Sequence, residues 1–287
     1  MTTEFKIPYK NHFLCADFSS HTSGAYFGCI LYLHGGGLVF GTRDDLPVVY
    51  KNQFLVSGFD FLALDYPLAP ESDLFEITDA VHAAVQYLQS NPHLLGYSSF
   101  PRFFIFGRSA GAYLALLEGA RLKKEQTLTT KQLIPPAAVI SFYGYHSLSL
   151  LEFKQPLPYY EAFLNLEEKD IYPLIKKHFL TNGPISERYA IYIYARQKGC
   201  WTSLLSQDDP SVFSLTDEEL ASLPPCFFTA SSSDEDVPFR ESKYMAAHVP
   251  GSFFSPVYYL PHDFDRDPDC EDAKTVYREL LTWLKSI

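Results

Sequence analysis

The chain has 287 residues, of which 47% are hydrophobic, and its formal net charge is −11 at pH 7. This composition is sufficient for a sizeable globular core. The acidic balance argues against nucleic acid or an anionic membrane surface as a partner, because both attract basic patches. No run of residues approaches the roughly 20 apolar positions of a membrane span.

The first half of the chain alternates buried strands with helices. Two short edge strands are predicted at 5–9 and 13–18. Apolar runs then predict strands over 25–33, 59–65, 103–106 and 137–143, with helices over 46–57, 77–88 and 112–121 between them. This alternation predicts an α/β fold with a largely parallel sheet and helices on both of its faces.

Two glycine-rich motifs follow predicted strands. His34-Gly35-Gly36-Gly37 gives a backbone that can approach a ligand closely and direct N–H groups at it, although a plain glycine turn is the alternative. Gly107-Arg108-Ser109-Ala110-Gly111 lies between a strand and a helix. It predicts a tight turn in which a Cβ at 107 or 111 would crowd the backbone and the serine hydroxyl stands free.

Residues 146–215 interrupt the alternation. They are rich in Tyr, Phe and Leu, and helices are predicted over 159–166, 170–180 and 186–196. We interpret them as a helical cap inserted into a core formed by 1–145 and 216–287. Its aromatic residues could line a substrate pocket or pack the cap onto the core. These residues are Tyr159, Tyr160, Phe163, Tyr189, Tyr192, Tyr194 and Trp201.

The last part of the chain returns to strands and helices. A capping box at Thr216 predicts a short helix, and strands are predicted over 226–230 and 257–260. A final helix carries an apolar face from Ala273 to Leu284, which we expect to pack on the sheet.

Ser109, Asp234 and His262 each lie in a loop after a predicted strand. The carboxyl ends of parallel strands meet at one edge of the sheet, so these side chains can come together. A serine needs a base to take its proton, and a carboxylate orients the imidazole that does so. We favour Asp234 as the acid because it follows its strand more closely. The alternatives, Asp236 and Asp263, are interpreted as solvated loop carboxylates.

The competing histidine for the role of base is His248, which lies at the end of a helical stretch.

The chain order Ser, Asp, His is that of α/β-hydrolases. The sequence resembles the esterase and lipase group of that fold related to hormone-sensitive lipase. The matching segments are residues 34–37, 65–71 and 107–111, the Asp234 loop, and His262 before Phe264. Departures from the group's usual motifs are Pro67, Arg108 and Ala112, and its N-terminal cap helices are not recognisable.

The resemblance implies a carboxylic ester hydrolase for small or medium acyl esters. Ser109 would attack the ester, His262 would act as base, and Asp234 would orient it. The amides of Gly35, Gly36 and Ala110 would form the oxyanion hole. No cofactor and no metal ion is expected, and the expected partner is a small-molecule ester.

His34 is expected to shape the glycine loop rather than to act as a base. For Arg108 we expect a structural ion pair, with Asp65 or Asp236 as the partner. A serine peptidase or amidase on the same fold, and a non-catalytic binding protein that keeps the fold, stay open as alternatives.

The five cysteines are scattered, and no Cys-x-x-Cys pair occurs. They therefore indicate reduced thiols. The first ten residues lack the basic start and apolar run of a secretory signal. These observations predict a cytoplasmic protein, and they leave homo-oligomerisation open.

Overall fold

The computed structural model describes residues 2–128, 133–206 and 209–287. Its centre is an 8-stranded sheet with the order β1-β2-β4-β3-β5-β6-β7-β8. The strands are β1 (Thr2–Tyr9), β2 (His12–Ser19), β3 (Gly28–Leu33), β4 (Phe59–Leu64), β5 (Phe103–Arg108), β6 (Ala138–Phe142), β7 (Cys226–Ser231) and β8 (Phe253–Val257). β2 pairs antiparallel with β1 and β4, and the pairs from β4 to β8 are parallel. The predicted α/β fold is confirmed.

Helices connect the strands. They are α1 (Val48–Val56), α2 (Leu74–Ser90), α3 (Ala110–Leu128), α4 (Leu151–Lys154), α5 (Pro158–Glu161), α6 (Glu168–Ile171), α7 (Ile185–Lys198), α8 (Trp201–Leu205), α9 (Asp217–Ser222), α10 (Phe239–His248) and α11 (Glu271–Ser286). Short 3₁₀ turns cover Pro92–Leu95, Tyr172–Leu174, Pro210–Phe213 and Phe264–Arg266. Within the described ranges, none of these helices combines the length and apolar character that crossing a membrane requires.

The sheet buries apolar side chains on both faces, because successive residues of a strand point to opposite sides. In β5, Phe103 and Ile105 belong to the core on the side of α2 and α3. Phe104 and Phe106 belong to the core on the side of α1 and α11. Both cores therefore meet at the strand that leads to Ser109.

The position of the last strand was predicted wrongly. The sequence predicted it over 257–260, whereas β8 is Phe253–Val257. β8 lies at the edge of the sheet, where Pro256 is tolerated although it has no N–H to donate. Tyr258 and Tyr259 are exposed, and Tyr259 has a φ of +62°, which is outside the range of a strand.

We call residues 146–215 the cap segment. In its described part, buried side chains such as Phe153, Tyr160 and Ile191 pack against the α2/α3 side of the core. α7 agrees with the helix predicted over 186–196. The helix predicted over 170–180 is wrong, because α6 ends at Ile171 and Pro173 lies in a 3₁₀ turn. Proline clashes with the preceding turn of an α-helix and has no N–H for it, so the helix does not continue.

Candidate active site

Ser109 lies at the turn between β5 and α3 and has a φ of +51°, in the left-handed region. An added Cβ at Gly107 would lie 2.1 Å from the Gly111 carbonyl oxygen. One at Gly111 would lie 2.1 Å from the carbonyl oxygen of Leu33, on the neighbouring strand. The predicted need for both glycines is confirmed. The turn is tight because the start of α3 lies directly against the end of β3.

The structure brings Ser109, His262 and Asp234 together. His262 Nε2 lies 2.9 Å from Ser109 Oγ, and His262 Nδ1 lies 2.7 Å from Asp234 Oδ2. The other oxygen of Asp234 accepts hydrogen bonds from the backbone N–H groups of Asp236 and Val237, at 2.9 and 2.8 Å. The Asp234 side chain is 0% exposed and that of His262 13%. This carboxylate is thus fixed in place by the backbone of its own loop.

The electrostatic surroundings of His262 favour its protonated form. Burial by itself favours the neutral imidazole, and the Asp234 carboxylate opposes burial through its charge and its hydrogen bond. Asp236 and Asp263 act in the same direction, and together they raise the pKa of His262 to about 9. This imidazole therefore binds a proton more tightly than an ordinary histidine does.

The two alternative carboxylates have other partners. Asp236 is buried rather than solvated: Arg196 Nη2 lies 3.1 Å from its Oδ1, and the Tyr192 hydroxyl donates to its Oδ2 at 2.8 Å. The expectation of a solvated Asp236 is therefore wrong, because the cap segment covers it. Asp263 pairs with Arg266 on the 3₁₀ turn after His262. Burial raises the pKa of the Asp263 carboxyl, but the charges of Arg266, His262 and Arg108 together with a backbone hydrogen bond lower it, and the net shift is downward.

The glycine loop after β3 presents free amides to the same region. Within the described residues, the N–H groups of Gly36 and Ala110 have no hydrogen-bond acceptor. The Gly35 amide, the third predicted donor, lies 3.4 Å from Asp45 Oδ2. Gly36 has a φ of +102°, and its carbonyl accepts from Val39 and Phe40 at 3.0 Å each. This turn leaves the Gly36 N–H without a backbone partner.

His34 is fully buried beneath this loop. Its ring stacks on Tyr66 with centroids 4.2 Å apart, and its Nδ1 lies 2.8 Å from the Gly35 carbonyl oxygen. The Tyr66 hydroxyl donates to the His34 carbonyl at 2.7 Å. These contacts agree with the expectation that His34 shapes the loop.

Arg108 is buried beside Ser109 and forms the expected ion pair, but with other partners. Its Nη2 lies 2.7 Å from Asp265 Oδ1, and its Nε donates to the Tyr143 hydroxyl at 2.7 Å. The predicted partners are engaged elsewhere, Asp65 with Arg43 at 2.6 Å and Asp236 with Arg196. The reason is strand alternation: Arg108 follows Phe106 by two residues and therefore points to the α11 side of the sheet.

The partners of Arg108 connect the loops around the site. Asp265 follows His262 by three residues, and its Oδ2 accepts from Tyr277 of α11 at 2.8 Å. Asp45 Oδ2 lies 3.5 Å from Arg108 Nη1, and Asp45 also contacts the Gly35 amide. We call Arg108, Asp45, Asp265, Tyr143 and Tyr277 the arginine network. No motif in the sequence predicts this network.

A cavity of about 530 Å³ lies above Ser109. Four of the seven aromatic residues singled out in the cap segment line it: Tyr159, Tyr160, Tyr189 and Tyr192. Phe163, Tyr194 and Trp201 are not among its lining residues. The cavity is large enough for a small organic ligand and has mostly aromatic walls on the side of the cap segment.

Buried polar contacts attach the cap segment to the core. Arg188 of α7 pairs with Glu71 at 2.7 Å, and both side chains are almost fully buried. Its guanidinium also donates to the carbonyl oxygens of Val39 and Ala69, at 2.7 and 2.8 Å. Trp201 donates to the Gly37 carbonyl at 2.9 Å. These contacts attach the cap segment to the glycine loop and to the loop after β4.

Side chains suited to metal binding are dispersed. In residues 2–128, 133–206 and 209–287, no group of three His, Cys, Asp or Glu side chains is arranged to hold a metal ion. The five cysteines are free thiols. The hydroxyl, imidazole and carboxylate that the structure brings together at the cavity are those of Ser109, His262 and Asp234.

The sheet order and the serine turn between β5 and α3 define the class of α/β-hydrolases. A family model described as alpha/beta hydrolase fold matches residues 30–249. The chain belongs to this family, in the esterase and lipase group related to hormone-sensitive lipase, and it is a hydrolase.

Solved structures with similar sequences cover nearly the whole chain. A protein of unknown function from Staphylococcus aureus subsp. aureus Mu50 is 33% identical over 99% of both chains, with a TM-score of 0.87. An alpha/beta hydrolase superfamily protein from Enterococcus faecalis is 34% identical over 99% of both chains, with a TM-score of 0.83. Carboxyl esterase 2 from the mycorrhizal fungus Tuber melanosporum is 20% identical, with a TM-score of 0.70, over 100% of this chain and 86% of its own, and shares the fold.

Proposed function

We propose that this hydrolase is a serine carboxylic ester hydrolase that acts on small or medium acyl esters. One observation carries the proposal: His262 lies within hydrogen-bonding distance of both Ser109 Oγ and Asp234, at 2.9 and 2.7 Å, at the wall of a cavity. This is the arrangement of a nucleophile, its base and the group that orients the base. We further expect the protein to work in the cytoplasm.

The reaction has two steps. In the first, Ser109 Oγ attacks the ester carbonyl while His262 Nε2 takes the hydroxyl proton, and this proton then goes to the leaving alcohol. The C–O bond to the alcohol breaks, and an acyl group remains on Ser109. In the second, water gives a proton to His262 and attacks the acyl carbon, which releases the carboxylic acid and restores Ser109.

The negative charge that forms on the carbonyl oxygen needs N–H donors. The unpaired amides of Gly36 and Ala110 are suited to this task, and the first turn of α3 adds its positive end. The Gly35 amide would join them by leaving its long contact with Asp45. Removal of one donor of this kind typically lowers the rate by about 10²–10³.

Asp234 is the proposed acid. Its side chain is fully buried, and its Oδ1 accepts two backbone hydrogen bonds, so its Oδ2 is held toward His262 Nδ1. Asp236 Oδ2 lies 4.0 Å from His262 Nε2 and is already bonded to Tyr192. Asp236 is therefore placed to stabilise the imidazolium by its charge and to hold the cap segment.

The test is a hydrolysis screen with p-nitrophenyl esters of increasing acyl length and an aminoacyl-amide substrate. We expect turnover of short and medium esters, and loss of it in Ser109→Ala. Ser90→Ala, at an exposed position on α2, serves as the control. Labelling of the parent by a fluorophosphonate probe, and not of Ser109→Ala, identifies the nucleophile.

Faster cleavage of the amide would favour a peptidase or amidase instead. An unlabelled serine without turnover would favour a binding protein.

A further inference from the structure

The charged side chains that line the cavity are mostly neutralised by partners. Arg108 pairs with Asp265, and Arg266 pairs with Asp263. Asp236 pairs with Arg196 behind the cavity wall. Glu235 also lines the cavity, and within the described ranges it has no ion pair with Lys or Arg.

Glu235 is half-buried and lies beside the proposed base. It directly follows Asp234 in the chain. Burial, and then the Asp234 carboxylate, raise the pKa of Glu235, whereas its own backbone N–H and His262 lower it. The pKa of Tyr159 is raised first by burial and then by the nearby Glu235 carboxylate. The Glu235 carboxylate, Tyr159 and His262 are therefore neighbours at the cavity wall.

Aromatic rings line the same cavity as this carboxylate. Tyr189 and Tyr192 line the cavity with nearly parallel rings, at 6.5 Å between centroids, and Phe40 meets Tyr189 edge to face at 5.2 Å. Faces of such rings attract cations, and the attraction is strongest for a quaternary ammonium group that has lost its water. A carboxylate without a Lys or Arg partner, in a cavity with aromatic walls, suits a cation and disfavours an anion.

We propose that the cavity selects esters whose alcohol part carries a cationic nitrogen, bound by Glu235 and by the rings of Tyr159 and Tyr189. This inference rests on the proposed esterase function, since Ser109 and the cavity hold the substrate, whereas Glu235 only determines which substrate charge is preferred. The alcohol side is assigned because His262 must reach the leaving oxygen to protonate it. Glu235 lies beside that imidazole.

A pair of substrates that differ only in charge tests the proposal. Acetylthiocholine and 3,3-dimethylbutyl thioacetate have the same shape and give the same acyl-enzyme, so a difference in kcat/KM reports on the leaving thiol, which takes the place of the alcohol. The ammonium group also makes this thiol more acidic, so the comparison of the parent with Glu235→Gln separates binding of the cation from leaving-group acidity. We expect the cationic ester to be preferred roughly tenfold, in line with a desolvated cation beside aromatic rings and a carboxylate. Added salt should reduce the preference.

Glu235→Gln removes the charge and keeps the shape. We expect it to bring the ratio of kcat/KM for the cationic ester to that for the neutral ester close to the ratio in free solution. An effect of the change on His262 acts on both esters alike and cancels in this ratio. Glu161→Gln is the matched control, because it makes the same change of charge at an exposed position of the cap segment outside the cavity lining. Tyr159→Leu is a second test that keeps Glu235, and it should lower the preference in part.

Three outcomes overturn the inference. They are equal rates on the two esters in the parent, a preference that Glu235→Gln leaves unchanged, and turnover of p-nitrophenyl esters without turnover of either thioester. The proposed function survives all three. It fails separately, when no ester is hydrolysed and Ser109 is not labelled by the fluorophosphonate.

Discussion

Replacement of Arg108 by methionine would leave a buried carboxylate without its counter-ion. The side chains of Arg108 and Asp265 are 3% and 0% exposed. Removal of one partner from a buried ion pair typically costs about 3–5 kcal/mol. Asp265 keeps hydrogen bonds from Tyr143 and Tyr277, at 2.6 and 2.8 Å, so we expect Arg108→Met to cost about 3 kcal/mol, at the lower end of this range.

Asp265→Asn in the same chain should restore part of the loss. The amide oxygen still accepts from a tyrosine hydroxyl, and the uncompensated charge is gone. We therefore expect the double variant to be more stable than the sum of the two single changes implies, by about 1–3 kcal/mol. Urea unfolding measures this as a shift of the midpoint at an unchanged slope.

Arg121→Met is the matched control for the Arg108 experiment. Arg121 is 42% exposed and pairs with Glu125 one turn further along α3, so its loss should cost only about 0.3–0.5 kcal/mol. The reasoning is refuted if Arg108→Met costs no more than Arg121→Met, or if the effects of the Arg108 and Asp265 changes are simply additive.

Two further predictions concern the base and the glycine loop. His262 must be deprotonated to act as a base, so its raised pKa should place the rise of kcat/KM with pH between 6.5 and about 9. Asp234→Asn should move this rise to lower pH. A rise at or below pH 6.5 in the parent contradicts the prediction. Because the pKa of His262 is higher in the folded chain than in the unfolded chain, its protonation stabilises the fold fully below pH 6.5. This contribution to the free energy of unfolding is lost as the pH rises through about 9. Gly37→Ala should destabilise the chain more than Gly96→Ala in urea unfolding, since both have positive φ but a Cβ at 37 would meet the Tyr192 ring at 2.2 Å. Equal midpoints would contradict it.

The sequence predicted the parts of the site that lie at strand ends. Buried strands are recognisable as apolar runs, and parallel strands bring their carboxyl ends to one edge, so Ser109 and Asp234 could be placed together. The structure brings His262 to Ser109 although the preceding strand covers 253–257 and not the predicted 257–260. The loop after β8 is what sets its position, and Pro261 and His262 follow that strand in either register.

The arginine network could not be predicted in the same way. Arg108 and Asp265 are separated by 157 positions, and no local pattern links them. The side of the sheet that Arg108 faces can be predicted, because Arg108 follows Phe106 by two residues and residues two apart in a strand point to the same side. The identity of the carboxylate on that side depends on how the loop after His262 folds back under α11. The burial of Asp236 could not be predicted for a related reason. It comes from contacts with α7, and the sequence of the Asp234 loop contains no pattern that indicates how α7 packs.

The anchoring of the cap segment has a consequence for how substrates are sorted. Arg188 with Glu71, Arg196 with Asp236, and Trp201 with Gly37 fasten it to three different loops of the core. A cap segment attached at three places should move little when a molecule enters the cavity, so we expect molecules to be selected by cross-section before they reach Ser109. Branching close to the ester carbonyl should then reduce access more than added length does.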